Sequence, residues 1–348
     1  MSLLYSEVEE ELRAAVRDLL ADRCPPSAVL KRAESRPYDP DLWKTLAGEI
    51  GVAGLLIPER HGGAGASASE AAVVLEELGR GVAPVPFFTS SVLATYALVQ
   101  AGAGELLERL ADGRSTAALA VSFAASPYRP DRGASVRVAD GRLTGTVTGV
   151  AGADVADMLL VPVEGGLYQV EGAELRAETS FDLTRPVSTV TFDGAAATRL
   201  GDVDVAGVLR FGARLLASEQ YGVAQWCLDT TLAYVKERHQ FARPVGSFQS
   251  IKHRLADLWL DVVRARAAAR NAAAEDSPVA AAVAQAWNAS VAVRAAEEAL
   301  QLHGGIGMTW EHPLHLYLKR AKSAEVALGT PGDHREALAS LAGVPGPE

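Results

Sequence analysis

The sequence predicts an α+β chain in three parts: an N-terminal helical domain over residues 1–115, a middle antiparallel β domain over 116–202 and a C-terminal helical domain over 203–348. Three observations predict it. Apolar residues recur every three or four positions at both ends of the chain, the spacing of a helix face. Between Ala117 and about Gly201 the period drops to two, the spacing of a half-buried strand. Nearly half of the 348 residues are apolar, many of them alanine, which favours helix and leaves ample core.

The elements follow in order. Leu4, Val8, Leu12, Val16 and Leu19 form one stripe, and Pro25-Pro26 ends that helix. Asp41 to Gly65 reads as a helix, a short apolar strand and a glycine turn. In the middle, Ser135 to Val150 alternates around an Asp140-Gly141 hairpin signal. Met158–Val163 and Leu167–Val170 flank Glu164-Gly165-Gly166, a second hairpin, and Val187–Asp193 is a further strand. Beyond it, Leu215, Leu216, Tyr221, Val223, Leu228, Leu232 and Val235 mark a long helix that Arg238 closes. Pro244 and Gly246 make a turn, Ser247 is placed to cap the next helix, and Ile251, Leu255, Leu258, Val262 and Val263 run along it. Ser277-Pro278 opens a third helix that reaches about Leu302. A last helical stretch lies on either side of Thr330-Pro331-Gly332.

Composition narrows the function. A net charge of −10 argues against a nucleic-acid groove and against an anionic membrane surface. Cys24 and Cys227 show no metal or redox spacing and read as free thiols in a reducing compartment. No metal site is expected. Glu7, Glu9, Glu10 and Glu11 interrupt any leader-like apolar run. Gln285, Asn288, Arg294, Glu297 and Glu298 exclude Val279–Leu302 as a membrane span. A cytoplasmic protein is the expectation.

Chemistry concentrates in two stretches. Arg238 to Arg254 connects two helices and carries a guanidinium, an aromatic ring and an amide within twelve residues: Arg238, Gln240, Phe241 and Gln249. An arginine can hold a pyrophosphate through its planar fork, and glutamine can donate and accept towards a ribose or base. A cation is also favoured at a helix C-terminus for its own sake. The second stretch, Gln301 to Pro313, ends a helix at the pair Gly304-Gly305.

Together, Arg-x-Gln-Phe…Phe-Gln and Gln-x-His-Gly-Gly-x-Gly-x-Thr-x-Glu-x-Pro, at this separation, resemble the acyl-CoA dehydrogenase family of flavoproteins. The Asp41–Gly65 passage resembles that family's N-terminal "Pro-Glu-x-x-Gly-Gly" segment. The resemblance implies an N-terminal helical domain, an inserted antiparallel β domain and a C-terminal four-helix bundle. It implies FAD as cofactor, an acyl-CoA substrate dehydrogenated at its α and β carbons, and an electron-transfer flavoprotein as electron acceptor. It further implies that Arg238, Gln240, Phe241, Gln249, Gln301, Gly304 and Gly305 hold the adenosine and pyrophosphate end of a neighbouring subunit's FAD.

The chain departs from the family where chemistry is done. Many members carry the base in "Tyr-Glu-Gly-Thr"; the matching stretch is Val326-Ala-Leu-Gly-Thr330, which puts Leu328 at the base position. Others carry it about 26 residues before the arginine, which falls on Gly212. Glu219 lies seven residues further on, roughly 10 Å along a helix axis at ~1.5 Å per residue, and reads as a displaced base or a salt-bridged carboxylate. The flavin-ring segments read Val121 to Pro127, without the family's pattern, and Gly149-Val150-Ala151, with glycine where the family has tryptophan. No catalytic residue is identified. The first expectation is therefore a non-catalytic subunit that clamps a paralogous partner's FAD in an α2β2 tetramer acting on a bulky acyl group such as a sterol side chain. The alternatives are a homotetrameric dehydrogenase with a displaced base, and a flavin-free scaffold or acyl-CoA-binding protein.

Overall fold

The computed structural model describes residues 3–35 and 37–344. The N-terminal part is helical: α1 (Glu7–Arg23), α2 (Pro26–Ala33), α3 (Pro40–Gly48), α4 (Ala68–Arg80), α5 (Thr95–Ala101) and α6 (Gly104–Ala111). Ser6 and Glu9 close a capping box at the start of α1, and Pro26 opens α2 at the position where its missing N–H costs nothing. Between α4 and α5 the chain takes a π-helical course over Phe87–Ala94, every residue of it buried. The short strand expected near Leu55–Ile57 is absent. Val52–Gly54 is a 3₁₀ turn, and the chain doubles back so that Ala64 N–H bonds to Gly54 O (2.9 Å) and Ala66 N–H to Leu55 O (2.8 Å). Leu55 and Ile57 are apolar because they fill the core, and with no neighbouring strand to pair with they form none.

The middle sheet contains β1 (Ala117–Leu119), β2 (Ala134–Ala139), β3 (Arg142–Ala151), β4 (Met158–Val163), β5 (Gly166–Glu171), β6 (Glu174–Ala177) and β7 (Val187–Asp202). Its order is β1-β4-β5-β7-β3-β2, with β6 also on β7. All pairs are antiparallel except β1 with β4. Both anticipated hairpins form. Asp140 and Gly141 take φ of 49° and 69°, Glu164 and Gly165 φ of 50° and 80°, the paired left-handed residues of a turn that matches strand twist.

The C-terminal part comprises α7 (Val205–Glu237), a small hairpin β8 (His239–Gln240) and β9 (Arg243–Pro244), then α8 (Gln249–Ala274), α9 (Pro278–His303), α10 (Leu314–Val326) and α11 (Pro331–Leu341). Helices α7, α8, α9 and α10 pack side by side as the bundle, and α4 lies along α7. Glycine permits that last contact: a Cβ on Gly79 would fall 2.2 Å from Glu219 O, and one on Gly222 2.0 Å from Glu76 O. Inside the bundle, Asn288 Nδ2 donates to Ala217 O and Ala265 O (2.9 Å each), tying α9 to α7 and α8. Gln220 Nε2 donates to Gln285 Oε1 at 3.1 Å. The buried amide N–H groups of Gln285 and Asn288 on α9 thus find acceptors within the protein. Among the described residues no helix is long and apolar enough to cross a membrane. Cys24 and Cys227 are buried free thiols.

Ser277 caps α9, accepting from Ala280 N–H at 3.3 Å. Ser247 does not cap α8. A 3₁₀ turn over Val245–Ser247 moves the helix start on by one residue, Phe248 takes the cap position without a side-chain bond, and Ser247 Oγ is buried without a partner.

Candidate functional site

Helices α7 and α9 run the same way and α8 runs against them, so the end of α7, the start of α8 and the end of α9 meet at one end of the bundle. Two contacts fix the arrangement. Tyr234 on α7 stacks on His303 on α9, ring centroids 4.3 Å apart, and Arg254 Nε on α8 donates to Glu298 Oε2 on α9 at 2.9 Å. Arg238 caps α7, with its N–H on Tyr234 O (2.9 Å) and its carbonyl accepting from Val245 N–H (2.7 Å). That second bond closes the base of the β8–β9 hairpin.

The seven residues singled out in the sequence lie at this end, and all seven are exposed. Phe241 is 88% exposed and sits at the hairpin tip. It and Ala242 take φ of 53° and 61°, a conformation that costs an L residue roughly 1–2 kcal/mol each and that glycine or asparagine ordinarily fills. The tip holds through side chains: Arg243 lies 3.8 Å over the Phe248 ring, and Phe241 meets the same ring edge-on at 6.2 Å. Among the described residues neither Arg238 nor Lys252 forms an ion pair, although the chain as a whole is acidic. The start of α8 keeps its N–H groups free of side-chain caps and adds a positive helix end.

The glycine pair divides into two cases. Gly304 has φ 63° and ψ −141°, which its own backbone demands of a glycine. Gly305 has no positive φ, and a Cβ there would meet nothing within 4 Å. Nothing inside the chain requires glycine at 305, and the open space there leaves room for a close external approach.

Histidines support this end from beneath. His303 Nδ1–H donates to Ala299 O (2.8 Å), its ring lies 4.9 Å from that of His312, and His315 stacks on Trp310 at 4.2 Å while Nε2–H donates to Trp310 O. Burial pushes all three below the ordinary histidine range, and at His312 the two neighbouring rings add to it.

Where a catalytic base is expected, the interior is packed with leucine. Leu328 is wholly buried, and a Cβ on Gly212 would stand 2.9 Å from Leu328 Cδ1 and 2.4 Å from Leu93 Cδ2. The two base positions therefore face one another, and Leu93 from the π-helical segment fills the space between. Glu219 is a salt-bridged carboxylate. It is buried and held bidentately by Arg185, with Nη1 donating to Oε1 at 2.9 Å, and by Arg320 at 3.4 Å. Arg320 in turn donates to Asp182 Oδ2 at 2.5 Å and to Thr184 Oγ1 at 2.7 Å. Burial works to raise the Glu219 and Asp182 carboxyls, but the two guanidiniums outweigh it and hold both below the usual carboxylate range. This quartet clamps the loop before β7 to α7 and α10. The sequence reading singled out Glu219 alone of the four; Asp182 and Arg185 lie in one short segment, Asp182-x-Thr184-Arg185, while Arg320 stands far away in sequence.

The segments expected to flank a flavin ring are joined to other protein. Phe123 N–H bonds to Gly149 O at 2.8 Å, and Gly149 takes φ 69° within a β3 irregularity, a backbone that would strain a tryptophan. Leu328 N–H bonds to Phe123 O at 2.9 Å. Tyr128 O–H donates to His334 Nδ1 at 3.0 Å, because Nε2–H is engaged with Leu328 O at 3.1 Å, and Arg129 pairs with Asp333. Residues 123–129 and 328–334 thus form a closed seam, a feature the sequence did not disclose.

A helical bundle whose outer end presents arginine, amides and a glycine turn is joined here to a small sheet and a second helical layer. The comparisons are specific. Residues 6–113 match the acyl-CoA dehydrogenase N-terminal domain and residues 204–341 the acyl-CoA dehydrogenase C-terminal domain. Acyl-CoA dehydrogenase IpdE2 of Mycolicibacterium smegmatis is 38% identical over 337 residues, 97% of this chain and 98% of that protein. Among solved structures, a variant of the Tcur3481–Tcur3483 steroid ACAD is similar at 30% identity and TM-score 0.85 over 97% of this chain and 98% of that one. The ChsE4–ChsE5 complex of Mycobacterium tuberculosis is similar at 29% identity and TM-score 0.86 over 99% of this chain and 100% of that one. The chain belongs to the acyl-CoA dehydrogenase family, FAD-dependent oxidoreductases acting on CH–CH bonds.

Proposed function

We propose that this chain is the non-catalytic subunit of a heteromeric acyl-CoA dehydrogenase of the cytoplasm. It clamps the ADP end of an FAD whose ring pocket and catalytic base belong to a paralogous partner, in an α2β2 tetramer that hands electrons to an electron-transfer flavoprotein. One contrast carries the reading: all seven clamp residues face outward, while both base positions are filled by packed leucine side chains.

The residues present fit one end of FAD. Arg238 offers its unpaired fork to a pyrophosphate beside the uncapped start of α8. Gln249 and Gln301 offer amides to ribose or base, Phe241 an apolar wall, and Gly305 an open backbone. They do not fit the ring. Gly149 offers no stacking surface, and the segment that would flank the ring is bonded through Phe123 to Gly149 and Leu328 and through Arg129 to Asp333. No chemical step is assigned to this chain. The flavin and its partner subunit supply the redox chemistry; this subunit supplies orientation and retention.

Two structural relatives are named as pairings of two chains, and one of them as a steroid ACAD. Both support a paralogous partner, and the steroid ACAD supports a bulky, sterol-type acyl-CoA as the substrate class. The locked state of Glu219 speaks against a homomeric enzyme with a displaced base.

The test is the flavin-to-protein ratio of this chain alone and of the assembly it forms in its source cells. The chain alone should hold little flavin. The assembly should hold one FAD per pair of chains, and Arg238→Ala should release most of it. A chain that alone binds one flavin and bleaches it with an acyl-CoA would sink the proposal.

A further inference from the structure

Residues 3–13, the segment before α1 and the first turns of that helix, are held to the protein mainly by charge. The fully buried side chains of α1 are Val16 and Leu20, both in its second half. Val8 is 65% exposed and Leu12 only partly buried. The first half grips α4 instead. Tyr5 O–H donates to Glu76 Oε2 at 2.5 Å. Arg13 Nη2 stands 3.3 Å from Glu76 Oε1, and Arg13 Nε donates to Glu77 Oε1 at 3.1 Å. From α8, Arg270 lies 3.7 Å over the Tyr5 ring and donates from Nη1 to Leu3 O at 3.0 Å.

Beneath this grip Glu76 and Glu77 are 1% and 2% exposed. The grip is incomplete, because Glu76 Oε1 and Arg270 Nε are buried without a hydrogen-bond partner. Burial holds the Glu76 carboxyl above the ordinary carboxylate range, although Tyr5, Arg13 and Arg270 face it; Glu77 beside it adds to the rise. Arg17 of α1 and Tyr221 of α7 also feel its charge. In such a cluster the desolvation of each charge offsets most of the attraction. Lifting residues 3–13 would return Glu76, Arg13 and Arg270 to water together, so no charge would stay buried alone. Helix α4 cannot follow, because its backbone is pressed on α7: a Cβ on Gly222 would fall 2.0 Å from Glu76 O. Val16 and Leu20 keep the second half of α1 in the core, which puts the break at the exposed pair Ala14-Ala15.

We propose that residues 3–13 form a strap that opens and closes over Glu76 and the end of α8 while the rest of the helical frame stays shut. Closed, the strap covers Arg270 and Glu76. Open, it bares the two together beside the small side chains of Ala72, Ala273 and Ala274. Glu76 sets the direction with pH. A carboxyl raised in the closed state binds its proton more tightly there, so closure is favoured below the ordinary carboxylate range. That preference is lost as pH rises through the raised value. The strap is independent of the cofactor reading above.

Hydrogen exchange of the full chain from about pH 5 to about pH 8, corrected for intrinsic rates, tests it without reference to flavin. Glu10 N–H is the first in α1 with a backbone partner, Ser6 O at 3.0 Å, so residues 10–13 report the strap. At the upper pH they should exchange at least about tenfold faster than α4, and the ratio should shrink towards the lower pH. Tyr5→Phe removes a bond to a charged group and should open residues 10–13 about tenfold more often, leaving α4 and α7 unchanged. Glu76→Gln should abolish the pH dependence. Exchange of residues 10–13 in step with α4, or opening that does not rise with pH, overturns the inference. So does an equal acceleration of α4 and α7 in Tyr5→Phe, since Tyr5 would then support the whole frame.

Discussion

Leu328 Cδ1 stands 2.9 Å from where a side chain on Gly212 would begin. Two positions 116 residues apart, each a base position implied by the family resemblance, are thus neighbours in space, and here Leu328 and Leu93 fill the room a side chain at 212 would need. Restoring a carboxylate alone should therefore fail. Leu328→Glu places an acid in a fully buried, leucine-lined site, where an unpartnered charge is strongly disfavoured. The expected result is a stability loss of about 3 kcal/mol or more, read in denaturant melts, with no acyl-CoA-dependent dye reduction gained.

The quartet of Asp182, Arg185, Glu219 and Arg320 should behave as structure. Arg320→Met strips the shared cation from two buried carboxylates and should cost about 3–5 kcal/mol. Glu219→Gln should lower stability in the same assay without touching the pH profile of the assembled enzyme's turnover. Both carboxyls titrate below their unfolded values, so their contribution is complete above the unfolded range and is lost as pH falls through the folded values. Acid titration of the wild type should show this loss below about pH 4, and Glu219→Gln should flatten it.

The glycine pair offers a control that separates folding from binding. Gly304→Ala forces an alanine into a backbone region reserved for glycine and should destabilise the chain by about 1–3 kcal/mol. Gly305→Ala meets open space and should leave the melting temperature unchanged while reducing flavin retention in the assembly. Equal thermal losses for both would remove the argument for a close external approach at Gly305.

The hairpin tip gives the opposite signature. Ala242→Gly relieves a left-handed alanine and should stabilise the hairpin by about 1 kcal/mol, seen as slower hydrogen exchange over residues 239–244. Phe241→Ala removes a ring that is almost wholly exposed; global stability should hold and cofactor retention should fall.

The histidines beneath the clamp set an acid limit. His303, His312 and His315 stay neutral below the ordinary histidine range, so the unfolded chain takes up protons first. Stability at this end is present above about pH 6.5 and should decline as pH drops towards the depressed folded values. His315 Nδ1 is buried without a partner, and Lys319 stands 4.3 Å over the Trp310 ring, so a charged His315 would face a second cation. Trp310 fluorescence between pH 7 and 5 reads the change locally, and His315→Gln should suppress it.

The helix and strand periods carried the architecture because each long element buries one side in a regular pattern. Asp140-Gly141 and Glu164-Gly165 were legible for a stronger reason: the turn they form admits few other residues. The apolar run Leu55–Ile57 misled because burial alone cannot tell a strand from a packed turn. Ser247 failed as a cap because a one-residue shift of the helix start is set by the 3₁₀ turn before it, not by its own chemistry. The seven motif residues were singled out by resemblance, and what the structure adds is that they share one exposed end of the bundle. The seam between Phe123–Arg129 and Leu328–His334 was not legible, since its partners lie some two hundred residues apart and none is unusual for its neighbourhood.

On the proposed assignment, the outward display of Arg238, Gln249, Gln301 and Gly305 would tie cofactor occupancy to concentration. A flavin gripped at one end by a different polypeptide leaves when that polypeptide leaves, so dilution acts on the prosthetic group as well as on the quaternary state. Holding two chains together and keeping one coenzyme loaded would become a single equilibrium, and cells would control the second by adjusting the amount of the proposed non-catalytic subunit.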